Sequence, residues 1–189
     1  MNGEYANYVE HPRFGRSPRI TGLNPQSDLT TGKPFLHWNA AERIPNTAVE
    51  ADLSRQSRAT VPVTHYYDVK RTCRDCGRPF IFFAQEQKHW YEELGLPLEA
   101  DCVRCVPCRK RQQGVALKRE RYEELFHVAE RTADENLEMA ECCLSLIEAG
   151  VFHVRQTQRV RQLLKRVDAQ GVMTAVSNDL NRRLAALES

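Results

Sequence analysis

The sequence predicts a mixed α+β chain, mostly α, and three observations carry that prediction. Prolines crowd the first third. A β-branched and aromatic stretch in the middle is framed by two Cys-x-x-Cys pairs. From Tyr122 onward, apolar residues recur at steps of three and four. The expected organisation is an irregular Pro-rich arm over residues 1–60, a small domain over 61–111, and an α-helical domain over 112–189.

Six of the nine prolines, Pro12, Pro18, Pro25, Pro34, Pro45 and Pro62, lie before Thr64, and each fixes its own backbone and biases the preceding residue away from helix. Gly15, Gly22 and Gly32 add turn signals. Tyr8, Phe14, Ile20, Leu23, Phe35, Leu36 and Trp38 show no sustained period, so the arm is expected to drape over the rest of the chain or stay partly disordered. Arg13, Arg16 and Arg19 recur at every third residue, a spacing that in an extended chain could follow phosphates or an acidic surface. A short helix is expected near residues 48–55, after Asn46-Thr47.

In the middle segment, the run Val61 to Tyr67 and the run Pro79 to Phe83 read as strands, with Pro62 at a strand start or edge. Ala84 to Leu94 reads as a helix with Phe83, Trp90, Tyr91 and Leu94 on one apolar side, stopped by Gly95 and Pro97.

In the last segment, Pro107 suits a helix start. Tyr122, Leu125, Ala129, Ala133, Leu137, Ala140, Leu144 and Ile147 form one stripe that ends at Gly150. A single helix over this span would be long for a small protein, so Gly114 is the expected bend or break. Val160, Leu163, Leu164 and Val167 mark a second helix closed by Gly171. Met173, Val176, Leu180, Leu184 and Leu187 mark a third, and the short links favour antiparallel packing.

Composition narrows the function classes. Apolar residues are 41% and charged residues 28%, values at which a packed core forms. No apolar run reaches the roughly 18–20 residues a bilayer span requires, so no membrane association is expected. The start of the chain lacks the basic-then-apolar pattern of a secretory signal. Seven cysteines in such a sequence point to a reducing, cytoplasmic setting in which metal binding outranks disulfides. The net charge of +2 gives no global attraction to nucleic acid, although residues 65–121 are net basic and 122–189 net acidic.

The sharpest signal is Cys73-x-x-Cys76 followed by Cys105-x-x-Cys108. Two sulfurs at that spacing reach one ion while backbone amides turn toward them, and two such pairs make a tetrahedral thiolate site for one structural Zn²⁺. Gly77 after the first pair supplies the positive φ of a tight knuckle. Cys102, Cys105 and Cys108 are equally spaced, so Cys102 is an alternate ligand. Cys105 and Cys108 are preferred because Arg109-Lys110-Arg111 follows and offsets a dianionic site. Cys143, on the apolar stripe, reads as a core residue. His65 and His89 lie near in sequence but read as structural or surface residues. No open three-ligand motif, nucleophile elbow or phosphate loop is present, so no catalytic residues are assigned and an enzyme is disfavoured.

Cys73-Arg-Asp-Cys76-Gly77, Phe80-Ile-Phe82, Glu86-Gln87, Trp90-Tyr91, Gly95 and Cys105-x-x-Cys108-Arg109 together resemble the bacterial family described as a probable zinc-ribbon domain. The resemblance covers residues 65–111, about a quarter of the chain. It implies a four-cysteine zinc site at Cys73, Cys76, Cys105 and Cys108 and no established activity. Cys102, and Pro107 directly before the last cysteine, depart from the family pattern. The fold expected is therefore an irregular N-terminal arm, a small four-cysteine zinc ribbon and a C-terminal helical bundle of about three helices.

Arg104, Arg109, Lys110, Arg111, Lys118, Arg119 and Arg121 face one acid, Glu120, in the stretch 104–121. This stretch is a candidate nucleic-acid-binding ridge, with Tyr66, Tyr67, Phe80, Phe82 and Trp90 as candidate stacking residues. The leading expectation is a non-enzymatic zinc-binding adaptor that contacts nucleic acid there. The alternatives are a protein–protein scaffold acting through the helical tail and the arm, and a redox or metal-responsive regulator using Cys102.

Overall fold

A computed structural model describes residues 3–25, 42–57, 63–169, 171 and 175–187. The expectations for Gly32, Pro34, Phe35, Leu36, Trp38, Val61, Pro62 and Met173 lie outside the described residues. The chain forms two compact units, Met1–Arg109 and Lys110–Ser189.

The first unit is built on two small antiparallel sheets. Strand β1 (Val49–Glu50) pairs with β2 (His65–Tyr66), with Val49 opposite Tyr66. Strand β3 (Val69–Thr72) pairs with β4 (Pro79–Phe82), with Val69 opposite Phe82 and Thr72 opposite Pro79. The sequence pattern shows β4 and misses β3, because Lys70 and Arg71 interrupt its apolar character. Strand β4 and the residue after it are apolar without alternation because both faces are covered. Phe80 and Phe82 pack with Val9, Trp90 and the cysteines, whereas Ile81 and Phe83 pack with Ile44, Tyr5, Tyr8 and Phe14.

The described arm residues belong to this unit. Val9 N–H donates to Pro79 O at 2.8 Å, Ile44 N–H to Asp68 O at 2.8 Å and Thr21 N–H to Asn46 O at 2.8 Å. Arg16 pairs with Glu10 at 2.6 Å, and the guanidiniums of Arg13 and Arg19 lie over the Phe14 ring. The helix expected near 48–55 does not form. Residues 49–50 are strand, and Asp52 accepts from Ser54 N–H at 3.0 Å and Ser54 Oγ at 2.6 Å, a side-chain turn that competes with helix.

Helix α1 (Ala84–Lys88) continues through a wider π-type turn, His89–Glu93, in which Leu94 N–H reaches back to His89 O at 3.0 Å. The turn buries Tyr91 and Glu92; Glu92 accepts from Asp52 N–H at 2.8 Å and pairs with Lys88 at 2.9 Å. Leu94, expected on the apolar side, is exposed, because the wider turn rotates it away. Gly95 closes the helix at φ +65°. Buried Gln87 ties α1 to the sheets, donating to Tyr67 O at 2.5 Å and Phe82 O at 2.9 Å.

Buried Asp68 is the polar junction of this unit. Its carboxylate accepts from Ala84 N–H, at the start of α1, and from Arg19 N–H in the arm, both at 2.8 Å. Burial, the largest influence, lifts its carboxyl to about 6 in spite of those two amides. A raised carboxyl pKa means that the folded state favours the neutral form. The associated stability is fully present below the unfolded value of about 4 and is lost as pH rises through about 6. We expect the difference in Tm between Asp68→Asn and wild type to shift in favour of the variant as pH rises from about 4 to 7. A difference that stays constant across that range would remove the assignment.

The second unit is helical. It holds the larger part of α2 (Val106–Phe126), then α3 (Ala133–Glu148), α4 (Thr157–Ala169) and α5 (Ala175–Ala186). The expected bundle of about three helices thus contains one helix more, because the long stripe is broken. The break is not at Gly114, which lies inside α2, but at residues 127–132. Arg131 Nη1 donates to the carbonyls of Leu125 at 2.9 Å and Val128 at 2.8 Å, ending α2. Thr132 then starts α3 with a reciprocal capping box with Glu135. Thr132-x-x-Glu135 was readable as a helix start, but the apolar step runs through it without interruption. Gly150 ends α3 at φ +70°; its N–H donates to Ile147 O at 2.9 Å and that of Val151 to Leu146 O at 2.9 Å, a Schellman arrangement. Leu137, Ala140, Cys143, Leu144 and Ile147 from α3 meet Val160, Leu163, Leu164 and Val167 from α4 and Leu180 and Leu184 from α5. Cys143 is a core residue, as its place on the stripe implied; Val176 is exposed.

Candidate metal centre

The hairpin β3–β4 carries the first pair of sulfurs on its turn. Cys73 N–H donates to Arg78 O at 3.0 Å and Gly77 N–H to Cys73 O at 2.9 Å, and Gly77 holds φ +68°. A side chain at Gly77 would find open space, so the requirement there is on backbone conformation. The second pair sits at the start of α2. Cys105 immediately precedes the helix, its carbonyl accepts from Arg109 N–H at 3.0 Å, and Cys108 lies in the first turn.

The four sulfurs of Cys73, Cys76, Cys105 and Cys108 lie within 4.8 Å of one another. Cys76 and Cys105 Sγ are 3.8 Å apart, the edge of a tetrahedron with metal–sulfur bonds of about 2.3 Å. Three of the cysteines are buried and Cys76 is exposed. Burial pushes the Cys73 thiol up, but amide donation from Cys76, Cys105 and Asp75 outweighs it and brings the thiol down to about 6. The Cys105 amide reaches Cys73 Sγ at 3.4 Å. The N-terminus of α2 adds the positive end of a helix dipole. The donor set fits Zn²⁺: four soft sulfurs, tetrahedral spacing and a positive surround. The four cysteines would hold the ion in a shell complete with protein sulfur.

Neither histidine considered as a ligand joins the group. His65 Nδ1 lies 3.2 Å from Thr64 Oγ1, and His89 Nδ1 lies 2.7 Å from Glu93. Cys102 is also outside it. Its thiol is buried and donates to Arg104 O at 3.3 Å, and burial pushes it up to about 12. Equal sequence spacing could not separate Cys102 from Cys108; the start of α2 does, by turning Cys105 and Cys108 toward Cys73. A protonated, buried thiol is a poor site for oxidation. We expect Cys102→Ser to release zinc under peroxide at the wild-type rate, measured with a chromogenic chelator; slower release would make Cys102 the redox trigger.

The basic stretch does not form an uncompensated ridge. Arg104 pairs with Asp75 at 2.9 Å. Arg109 pairs with half-buried Glu86 and lies 4.8 Å over the Trp90 ring, so it is spent on packing instead of offsetting the sulfurs. Lys118 reaches Ser145 at 2.6 Å and Glu141 at 3.4 Å. Arg119 pairs with Glu123 at 3.0 Å, and Arg121 with Glu138 at 2.7 Å and Glu124 at 2.9 Å. Lys110 and Arg111 are exposed on α2. All of these acids lie beyond residue 121 or before residue 104, so a window over 104–121 cannot register them. Of the candidate stacking residues, Tyr66, Tyr67, Phe80 and Phe82 are buried in the core, and Trp90 is half-buried with the Arg109 guanidinium over its ring.

Among the described residues no helix is long and apolar enough to cross a membrane. Residues 67–115 match the family described as "Probable treble clef domain". That span contains the knuckle hairpin, α1 and the start of α2, and therefore all four cysteines. The similarity supports a structural zinc-binding domain of the zinc-ribbon-like kind, with its second sulfur pair on a helix start instead of a second hairpin. No curated protein and no solved structure matches the chain.

Proposed function

We propose that this protein is a non-enzymatic adaptor whose first unit is organised by one structural Zn²⁺ and whose partner is another protein. The observation that carries the proposal is the convergence of four cysteine sulfurs within 4.8 Å. Four thiolates fill a tetrahedral shell, so no position remains for an activated water or a substrate oxygen. The ion instead supplies cohesion that short two-residue and four-residue strands cannot.

The choice of a protein partner follows from electrostatics. A phosphate contact by Arg104, Arg109, Lys118, Arg119 or Arg121 would first have to break an existing pair with a carboxylate. The nucleic-acid reading through 104–121 is therefore the weaker one. Metal analysis of the native protein together with its co-purifying partners, with and without nuclease, tests the proposal. The expected result is one zinc per chain and protein partners that survive nuclease. A gel shift that collapses between about 50 and 200 mM salt, and that weakens when Arg109, Lys110 and Arg111 become Ala, would favour the nucleic-acid reading.

A further inference from the structure

Residues 122–189 carry net negative charge, yet one of the helices there is basic: α4 holds Arg159, Arg161, Lys165 and Arg166 against a single acid, Asp168. Arg159, Gln162, Leu163 and Arg166 follow steps of three and four and so share a face of α4. With Arg131, from the loop between α2 and α3, they line a recess of about 130 Å³.

The arginines around this recess are placed differently from those of the 104–121 stretch. Arg131 is held by neutral groups, the carbonyls of Leu125 and Val128 and Asn136 Oδ1 at 3.3 Å. Arg159 lies over the rings of Phe126 at 4.7 Å and Tyr122 at 5.8 Å, and its Nε is buried without a hydrogen-bond partner. Arg166 is exposed at the rim. The nearby Glu135 is committed to the capping box, accepting from Thr132 N–H at 2.8 Å. Among the described residues no carboxylate pairs with Arg131, Arg159 or Arg166. Three guanidiniums converging on one recess repel one another, and a buried Nε–H left without an acceptor carries a desolvation cost. A bound oxyanion relieves the repulsion, and planar N–H forks match a tetrahedral anion.

We propose that the recess lined by Arg131, Arg159 and Arg166 binds a phosphate group, free or at the end of a larger molecule. The small volume admits a compact tetrahedral anion, and Gln162 adds a neutral polar group at the wall. The site is independent of the zinc centre: it lies wholly in the unit Lys110–Ser189.

The test is calorimetric titration of the full-length, zinc-loaded protein with inorganic phosphate and, in parallel, phenyl phosphate, with chloride at matched ionic strength as control. The expected result is saturable one-to-one binding of phosphate and none of chloride. Arg166→Gln weakens it about tenfold, the scale of one charge-assisted contact. Arg159→Lys, which keeps the charge but loses the fork, weakens it less. Arg155→Gln, an exposed charge outside the recess, leaves it unchanged. Phenyl phosphate binding at least as tightly assigns the site to a terminal phosphate of a larger molecule; preference for inorganic phosphate assigns it to the free ion. A non-saturating response shared with chloride, or equal weakening by Arg166→Gln and Arg155→Gln, overturns the proposal.

Discussion

Replacing Cys105 by serine abolishes zinc binding and unfolds the first unit, while the helical unit keeps its structure. Cys105 is buried at 1% exposure, lies 3.8 Å from Cys76 Sγ, and offers its amide to Cys73 Sγ. Its loss leaves three sulfurs around a buried gap. Structural zinc in small domains contributes on the order of 10–16 kcal/mol of apparent binding free energy, which is also folding free energy. The apolar clusters of this unit are small, and one of them is built around the site itself: Val9, Phe80 and Phe82 pack with Cys73, Cys102, Cys105 and Cys108. Elemental analysis should fall from one zinc per chain to none. Limited proteolysis should cut within residues 65–111 in the variant and in chelated wild type. The helical signal from α3, α4 and α5 should persist, because their core contains none of the four cysteines. Unchanged protease resistance after chelation would sink the structural role of the metal.

Leu144→Ala in α3 destabilises the helical unit by roughly 2–5 kcal/mol, the usual cost of emptying a fully buried leucine site. Leu144 is fully buried in the cluster that joins α3 to α4 and α5. For a unit of this size the loss corresponds to a fall in Tm on the order of 10–40 °C. Zinc content should stay at one per chain, since the substitution is remote from the sulfurs in sequence and in cluster membership. Differential scanning calorimetry reads the first expectation and elemental analysis the second. A fall in Tm of only a degree or two would mean that the α3–α4–α5 core is not the stabilising element of this unit.

The two substitutions bear on parts of the molecule that were unequally legible. The zinc site could be read because its grammar is local: Cys-x-x-Cys, a following glycine and an apolar run each encode a turn or strand within a few residues. Helices α4 and α5 were legible for the same reason, since their burial follows the step of three and four. The stripe from Tyr122 to Ile147 misled because periodicity reports which side is buried and not whether the backbone is continuous. Arg131 and the Thr132–Glu135 box break the helix while preserving the step.

Charge was less legible still. The sum over residues 122–189 is acidic and hid the basic face of α4, and the sum over 104–121 is basic and hid its pairing with acids from elsewhere in the chain. Coulomb energy depends on distance in space, and adjacency in sequence is a poor proxy once the chain has turned. The burial of Asp68 has the same origin: nothing near it in sequence tells that an arm residue and the first residue of α1 will both donate to its carboxylate.

By itself, the sequence determined the elements with short-range causes: the first sulfur knuckle, strand β4, the helical character of the second half and the apolar faces of its helices. The tertiary structure alone decided three things: that Cys108 and not Cys102 completes the sulfur group, that most of the 104–121 cations are compensated, and that three arginines meet at one recess. Each is a choice among chemically equivalent residues. Such a choice is made by where the folded backbone points their side chains, and that direction is fixed by contacts between segments far apart along the chain.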